Sequence, residues 1–97
     1  MGAPVLPEAE VRAALAADDG PDWELTSGTL VKTVTCRDFV AALDYVAEVG
    51  RLAEAADHHP DIDIRYNRVR LGLVTHDAGG LTTKDFDLAG RTDKLAS

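Results

Sequence analysis

An α+β fold, with helices packed on one face of a four-stranded antiparallel sheet, follows from three features of this sequence. Two pairs of short segments alternate apolar and polar residues, and each pair is joined by a dipeptide that can turn. Each pair follows a stretch whose apolar residues recur at helical spacing. A third helical stretch closes the chain, so the order is α-β-β-α-β-β-α. At 97 residues there is enough chain for one core but not for two, so residues 1–97 are expected to be a single domain, with residues 1–6 a flexible N-terminus.

The first helix is expected over about residues 7–18. Pro7 suits a first helical position, Val11, Ala14 and Leu15 share a face, and Gly20-Pro21 is a stop. Trp23 to Thr26 alternates, Ser27-Gly28 can turn, and Leu30 to Thr35 is rich in β-branched residues, which predicts a hairpin with Trp23 as a core anchor. Asp38 is a good N-cap, and Phe39, Leu43, Val46, Val49 and Ala53 keep helical rhythm to about Ala56. Gly50 within this helix costs roughly 1 kcal/mol relative to alanine and predicts close packing against another backbone. Pro60 disfavours helical geometry at His59, so this helix ends before His58. Ile62, Ile64 and Tyr66 alternate with charged residues, Asn67-Arg68 can turn, and Val69, Leu71 and Leu73 alternate again: a second hairpin, with Tyr66 packed on the sheet. Thr82 and Asp85 form a capping-box pattern, with Leu81 and Phe86 as a hydrophobic staple, for a last helix from about Thr83 to Leu95.

Composition narrows the function. Apolar residues at 45% and charged residues at 28% belong to a folded globular chain. A net charge of -7 works against nucleic acid and anionic membranes as partners, and favours a small neutral or cationic ligand or a protein. Cys36 is the only cysteine, so an internal disulfide and a thiolate zinc cluster are excluded. With no apolar run long enough to span a bilayer, and no basic-then-apolar N-terminal segment, the expected location is the cytoplasm, with no membrane association.

The residues that attract chemistry are the histidines. His58 and His59 stand side by side before Pro60, and His76 lies where the last strand gives way to a Gly-rich loop, so all three sit at element ends, where functional side chains collect. An unperturbed imidazole titrates near pH 6.5, so such a group can both donate and accept protons near neutrality. Asp85 reads first as a helix N-terminal carboxylate and second as a partner of a pocket histidine. Glu54, one helical turn before His58, either orients that ring or is a solvated helix carboxylate.

The spacing runs Glu54, three residues, His58-His59-Pro60, five residues, Tyr66, nine residues, His76, eight residues, Asp85. This set resembles the signature of the pterin-4a-carbinolamine dehydratases. Trp23-Glu24-Leu25, Asp38-Phe39, Tyr66-Asn67-Arg68-Val69, Thr75-His76-Asp77 and Gly79-Gly80-Leu81-Thr82 also look like that family, covering about residues 21–95. The resemblance implies dehydration of a 4a-hydroxytetrahydropterin to the quinonoid dihydropterin, with the pterin as substrate and no metal or other cofactor. It further implies that His58 and His76 act as general acids and that His59 holds the pterin and serves as base. Asp57, His58, His59, Pro60, Val74, Thr75, His76 and Asp77 are then the substrate-binding positions, with Glu54 and Asp85 in support. Ile62 stands where animal members carry an aromatic ring, and Ala78 where they carry a cysteine; nothing in the sequence supports those members' second role as transcription-factor dimerisation cofactors.

Two other readings remain open. One is a non-catalytic protein-binding or assembly-factor module on the same fold, although relatives of that kind tend to lose the histidines. The other is a zinc shell built from the three histidines with Asp77 or Asp85. Edge strands and small size, together with the resemblance, also predict a homodimer or homotetramer joined through the sheet or the final helix.

Overall fold

The structure is a computed structural model that describes residues 4–17 and 22–95. Its elements are α1 (Glu8–Ala16), β1 (Glu24–Thr26), β2 (Thr29–Thr35), α2 (Phe39–Ala56), β3 (Asp61–Arg65), β4 (Arg68–Leu73), a 3₁₀ turn (His76–Ala78) and α3 (Thr83–Asp93). All neighbouring strands are antiparallel, in the order β1-β2-β4-β3. The expected α-β-β-α-β-β-α order is therefore the observed one. The Gly20-Pro21 stop lies outside the described residues.

Register explains the two faces of the sheet. Leu30 pairs with Leu73, Val34 with Val69, Ile62 with Leu71 and Ile64 with Val69, and residues directly opposite each other share a face. That face packs on Ala42, Tyr45, Val49 and Ala53 of α2 and on Leu88 and Ala89 of α3. Each large apolar side chain buried here contributes about 1.5–3 kcal/mol. Trp23 is a core anchor as expected, buried with its indole N–H donating to Asp93. The opposite face carries Thr33, Asp63, Arg68 and Arg70.

Turn geometry follows local chemistry at one hairpin and overrides it at the other. Ser27 and Gly28 both take positive φ, which suits a two-residue connection between β1 and β2. In the second hairpin the turn is Tyr66-Asn67, one residue earlier than expected. Asn67 donates its side-chain amide to the Cys36 carbonyl and accepts from the Cys36 N–H, which clamps the turn to the end of β2. Tyr66 consequently leaves the sheet, with φ of 54° and the residue 68% exposed, instead of packing on it.

Two expectations for α2 are corrected. Its buried stripe is Ala42, Tyr45, Val49 and Ala53, while Phe39 and Leu43 are exposed: the helix is apolar over a wider arc than the sheet and α3 cover. Gly50 packs against nothing, because a Cβ built there meets no atom within 4 Å. Near the start of the described residues the Leu6 N–H donates to the Leu81 carbonyl at 2.7 Å, which joins that stretch to the segment just before α3.

Candidate active site

Three element ends converge: the C-terminus of α2, the exit of β4 and the N-terminus of α3. The helix α2 closes in a left-handed residue, Asp57, at φ 50° and ψ 42°. The Asp57 N–H donates to the Glu54 carbonyl and the His58 N–H to the Ala53 carbonyl, the paired bonds of a Schellman motif. Glycine is the usual residue at such a position, since a side chain there costs about 1–2 kcal/mol. The turn throws His58 inward and His59 outward. His58 is 9% exposed, whereas the His59 side chain is 60% exposed.

His58 is held from below by a fully buried carboxylate. Its Nε2 lies 2.6 Å from Asp85 Oδ1, and Asp85 has no exposed surface. The second oxygen, Asp85 Oδ2, accepts the Thr75 hydroxyl at 2.8 Å and the Thr82 N–H at 2.9 Å. Because the Thr75 proton goes to Asp85, the Thr82 hydroxyl donates to Thr75 Oγ1, 2.8 Å away, and accepts from the Lys84 N–H. The chain of donors is thus directional and ends on the carboxylate. Among the described residues no buried side-chain nitrogen or oxygen lacks a partner. A carboxylate at Nε2 keeps that nitrogen protonated and leaves Nδ1 as the exchangeable position of the ring.

Both sequence readings of Asp85 therefore hold: it closes the capping box of α3 and binds the pocket histidine. Of the two readings of Glu54, the solvated helix carboxylate is the one observed, with its side chain 80% exposed, and it does not orient His58. It pairs with His59, its Oε2 2.8 Å from His59 Nε2, in an exposed contact worth about 0–1 kcal/mol.

A cavity of about 590 Å³ opens at this junction. Asp57, His58, His59, Val74, Thr75, His76 and Asp77 line it, seven of the eight substrate-binding positions expected; Pro60 does not. His76 begins the 3₁₀ turn and is exposed. Sequence reasoning missed Pro4, Val5, Ala78 and Lys84, which also line the cavity. Lys84 follows from the helix start, since it stands in the first turn of α3 beside Asp85. Pro4 and Val5 have no local signal, because they arrive from the other end of the chain. Ile62 is not part of the lining; it sits on the inner sheet face opposite Leu71, so the missing aromatic ring does not open this cavity. Among the described residues no group of three or more histidine, cysteine, aspartate or glutamate side chains is placed to hold a metal ion.

Two ionisable groups elsewhere are shifted. Burial, then the charges of Asp93 and Cys36, push the Tyr45 hydroxyl up to about 12. The Ala41 N–H, donating to the Asp38 cap, holds that carboxyl below its ordinary value against a smaller opposing effect of desolvation, with Arg37 assisting.

Comparison with known proteins bears on this site. The profile of a family described as Pterin 4 alpha carbinolamine dehydratase matches residues 4–95. A Chloroflexus aurantiacus protein, provisionally named a pterin-4-alpha-carbinolamine dehydratase, is 56% identical over 92 residues, covering 95% of this chain and 97% of its own. An Acidobacterium capsulatum protein with the same provisional name is 59% identical over 75 residues, covering 77% of this chain and 82% of its own. Among solved structures, a transcriptional coactivator/pterin dehydratase from Brucella melitensis superposes with a TM-score of 0.85 at 33% identity, covering 96% of this chain and 99% of that one. A pterin dehydratase-like RuBisCO assembly factor of the alpha-carboxysome shares the fold, with a TM-score of 0.64 at 18% identity.

Proposed function

Because the chain belongs to the pterin 4 alpha carbinolamine dehydratase family, we propose that it dehydrates a 4a-hydroxytetrahydropterin to the quinonoid dihydropterin. The observation that carries this reading is one cavity lined by all three histidines of the chain. In the reaction the C4a–O bond breaks, the hydroxyl leaves as water with a proton delivered to it, and a ring N–H gives up its proton. Each transfer is work for an imidazole, and such catalysis typically contributes about 10²–10⁴-fold.

His58 and His76 are assigned as general acids, and His59 as the residue that holds the pterin and serves as base. Support for His58 comes from its anchoring: with Nε2 engaged by Asp85, Nδ1 is the nitrogen free to exchange a proton. His76 makes no side-chain hydrogen bond among the described residues and is open to a ligand. The paired carboxylate of Glu54 suits His59 to a proton-accepting or holding role. No metal or further cofactor enters this reaction, and dialysis against a strong chelator is expected to leave the rate unchanged.

The test is direct. Freshly generated 4a-hydroxytetrahydropterin is followed by its absorbance with and without the protein. Acceleration of its decay supports the assignment; a decay rate equal to the uncatalysed one rejects it. A non-catalytic binding module on this fold would give the second result.

We infer also that copies of the chain associate, and that α2 carries the contact. Phe39, Val40 and Leu43 are exposed on its N-terminal half, Val40 at 62%, whereas the exposed residues of α3 are Thr83, Lys84, Asp87, Arg91 and Asp93. This reading places the contact on α2 in preference to the sheet or the final helix. Light scattering during size exclusion tests this: an oligomer that Val40→Glu converts to monomer supports it, and a wild-type monomer rejects it.

A further inference from the structure

We propose that the N-terminal strap, residues 4–6, is a structural wall of the pocket and that Val5 is a substrate-contacting residue that sets affinity; this rests on the pterin reading above. The polar part of the cavity lining includes three imidazoles, two carboxylates and the Lys84 ammonium. Its apolar members are Pro4, Val5, Val74 and Ala78, and the strap supplies two of the four. A flat heterocycle needs apolar surface against its ring as well as polar groups at its edge. No phenylalanine, tyrosine or tryptophan lines the cavity, so that surface falls to aliphatic side chains.

The strap is seated by two independent contacts. One is the backbone bond from the Leu6 N–H to the Leu81 carbonyl at 2.7 Å. The other is Gly80. A Cβ built at Gly80 would stand 2.9 Å from Val5 Cγ1, closer than real Cβ contacts come, so a side chain there would force the Val5 side chain to move. The neighbouring Gly79 has φ of 80°, a conformation that itself favours glycine. Gly80 has no such need. What a side chain at Gly80 would meet is Val5 of the strap, and the same valine is among the residues that line the cavity with His76 and Ala78.

Val5 has no exchangeable proton, so its contact contributes to binding and not to the proton transfers. Val5→Ala is expected to raise KM about three- to tenfold, the loss of one to two buried methyl groups, and to leave kcat within about twofold. Gly80→Ala should raise KM similarly while Val5 is present. In the Val5→Ala background the clash is gone, and Gly80→Ala should add nothing further. Binding of a stable 7,8-dihydropterin by fluorescence titration gives the same comparison without turnover, and thermal melts confirm that each variant is folded. Wild type that binds the dihydropterin while Val5→Ala and Gly80→Ala bind equally well overturns the wall alone. Independent, additive effects of the two substitutions also overturn it, because they break the link between Gly80 and the seat of Val5. Failure of wild type to bind the dihydropterin or to dehydrate the carbinolamine overturns the pterin reading, and the wall with it.

Discussion

The two walls of the cavity are built in opposite ways. On one side His58, Thr75, Thr82 and Asp85 form a buried network in which every fully buried side-chain polar atom is partnered. On the other, His59 and His76 stand in solvent, and Val5 is 49% exposed on its strap. Two adjacent residues, His58 and His59, fall on different sides only because Asp57 turns the chain between them. The contrast teaches that one histidine is positioned by the fold before any ligand arrives, while the others can adjust to it. Preorganised donors cost no rearrangement at the moment of reaction, and exposed ones leave room for entry and release.

The largest expected effect comes from removing the base of the buried wall. Asp85→Ala leaves His58 and two donors without their fully buried acceptor, and should destabilise the protein by about 3–5 kcal/mol. Denaturant titration reads this as a lower midpoint at unchanged slope; a loss below about 1 kcal/mol would mean that the network carries little of the fold. Next comes the comparison of two histidines. His76→Ala and His58→Ala should each slow dehydration by about 10²–10⁴-fold. Stability should separate them: His76→Ala melts like wild type, whereas His58→Ala loses about 1–3 kcal/mol because Asp85 keeps its burial and loses a partner. Equal melting of the two variants would erase the distinction between the walls.

The exposed wall should respond more weakly. His59→Ala should mainly raise KM, and Glu54→Gln should change stability by less than about 1 kcal/mol, since that pair is open to solvent. Titrating stability against salt sharpens this, because only the exposed pair is screened. The same inside-outside contrast runs along α2. Tyr45 is buried with its hydroxyl pushed up to about 12 from an ordinary 10.0, so the folded state holds this proton more tightly than the unfolded chain. Its contribution is therefore complete below pH 10 and is lost as pH rises from 10 towards 12. Phenolate absorbance in parallel with circular dichroism checks this, and ionisation near pH 10 without unfolding would contradict it. On the outer side of the same helix Gly50 meets nothing, so Gly50→Ala should stabilise by about 0.5–1 kcal/mol, the smallest effect here, read from the melting midpoint.

Much of the site was legible because its residues mark element ends. Asp38, Pro60 and Thr82 carry local backbone chemistry, so the limits of α2 and the start of α3 could be read from single residues, and the three histidines fell between them. The misreadings have a common cause. Tyr66 alternates like a strand residue, but the clamp from Asn67 to Cys36 closes the turn one position sooner. Phe39 and Leu43 keep helical rhythm, but periodicity cannot tell a face that the sheet covers from one that it leaves bare.

Local physical chemistry in the chain was sufficient for the class of fold, the order of its elements, the caps of its helices and the set of histidines, because each depends on residues within a few positions of one another. Only tertiary structure decided which histidine is buried, that Glu54 serves His59 and not His58, and that Val5 joins a pocket made by residues 57–84. Those outcomes depend on groups 27 positions apart at Asp85 and His58, and about 75 apart at Val5 and Gly80, which meet only when the sheet has brought the ends of its helices together.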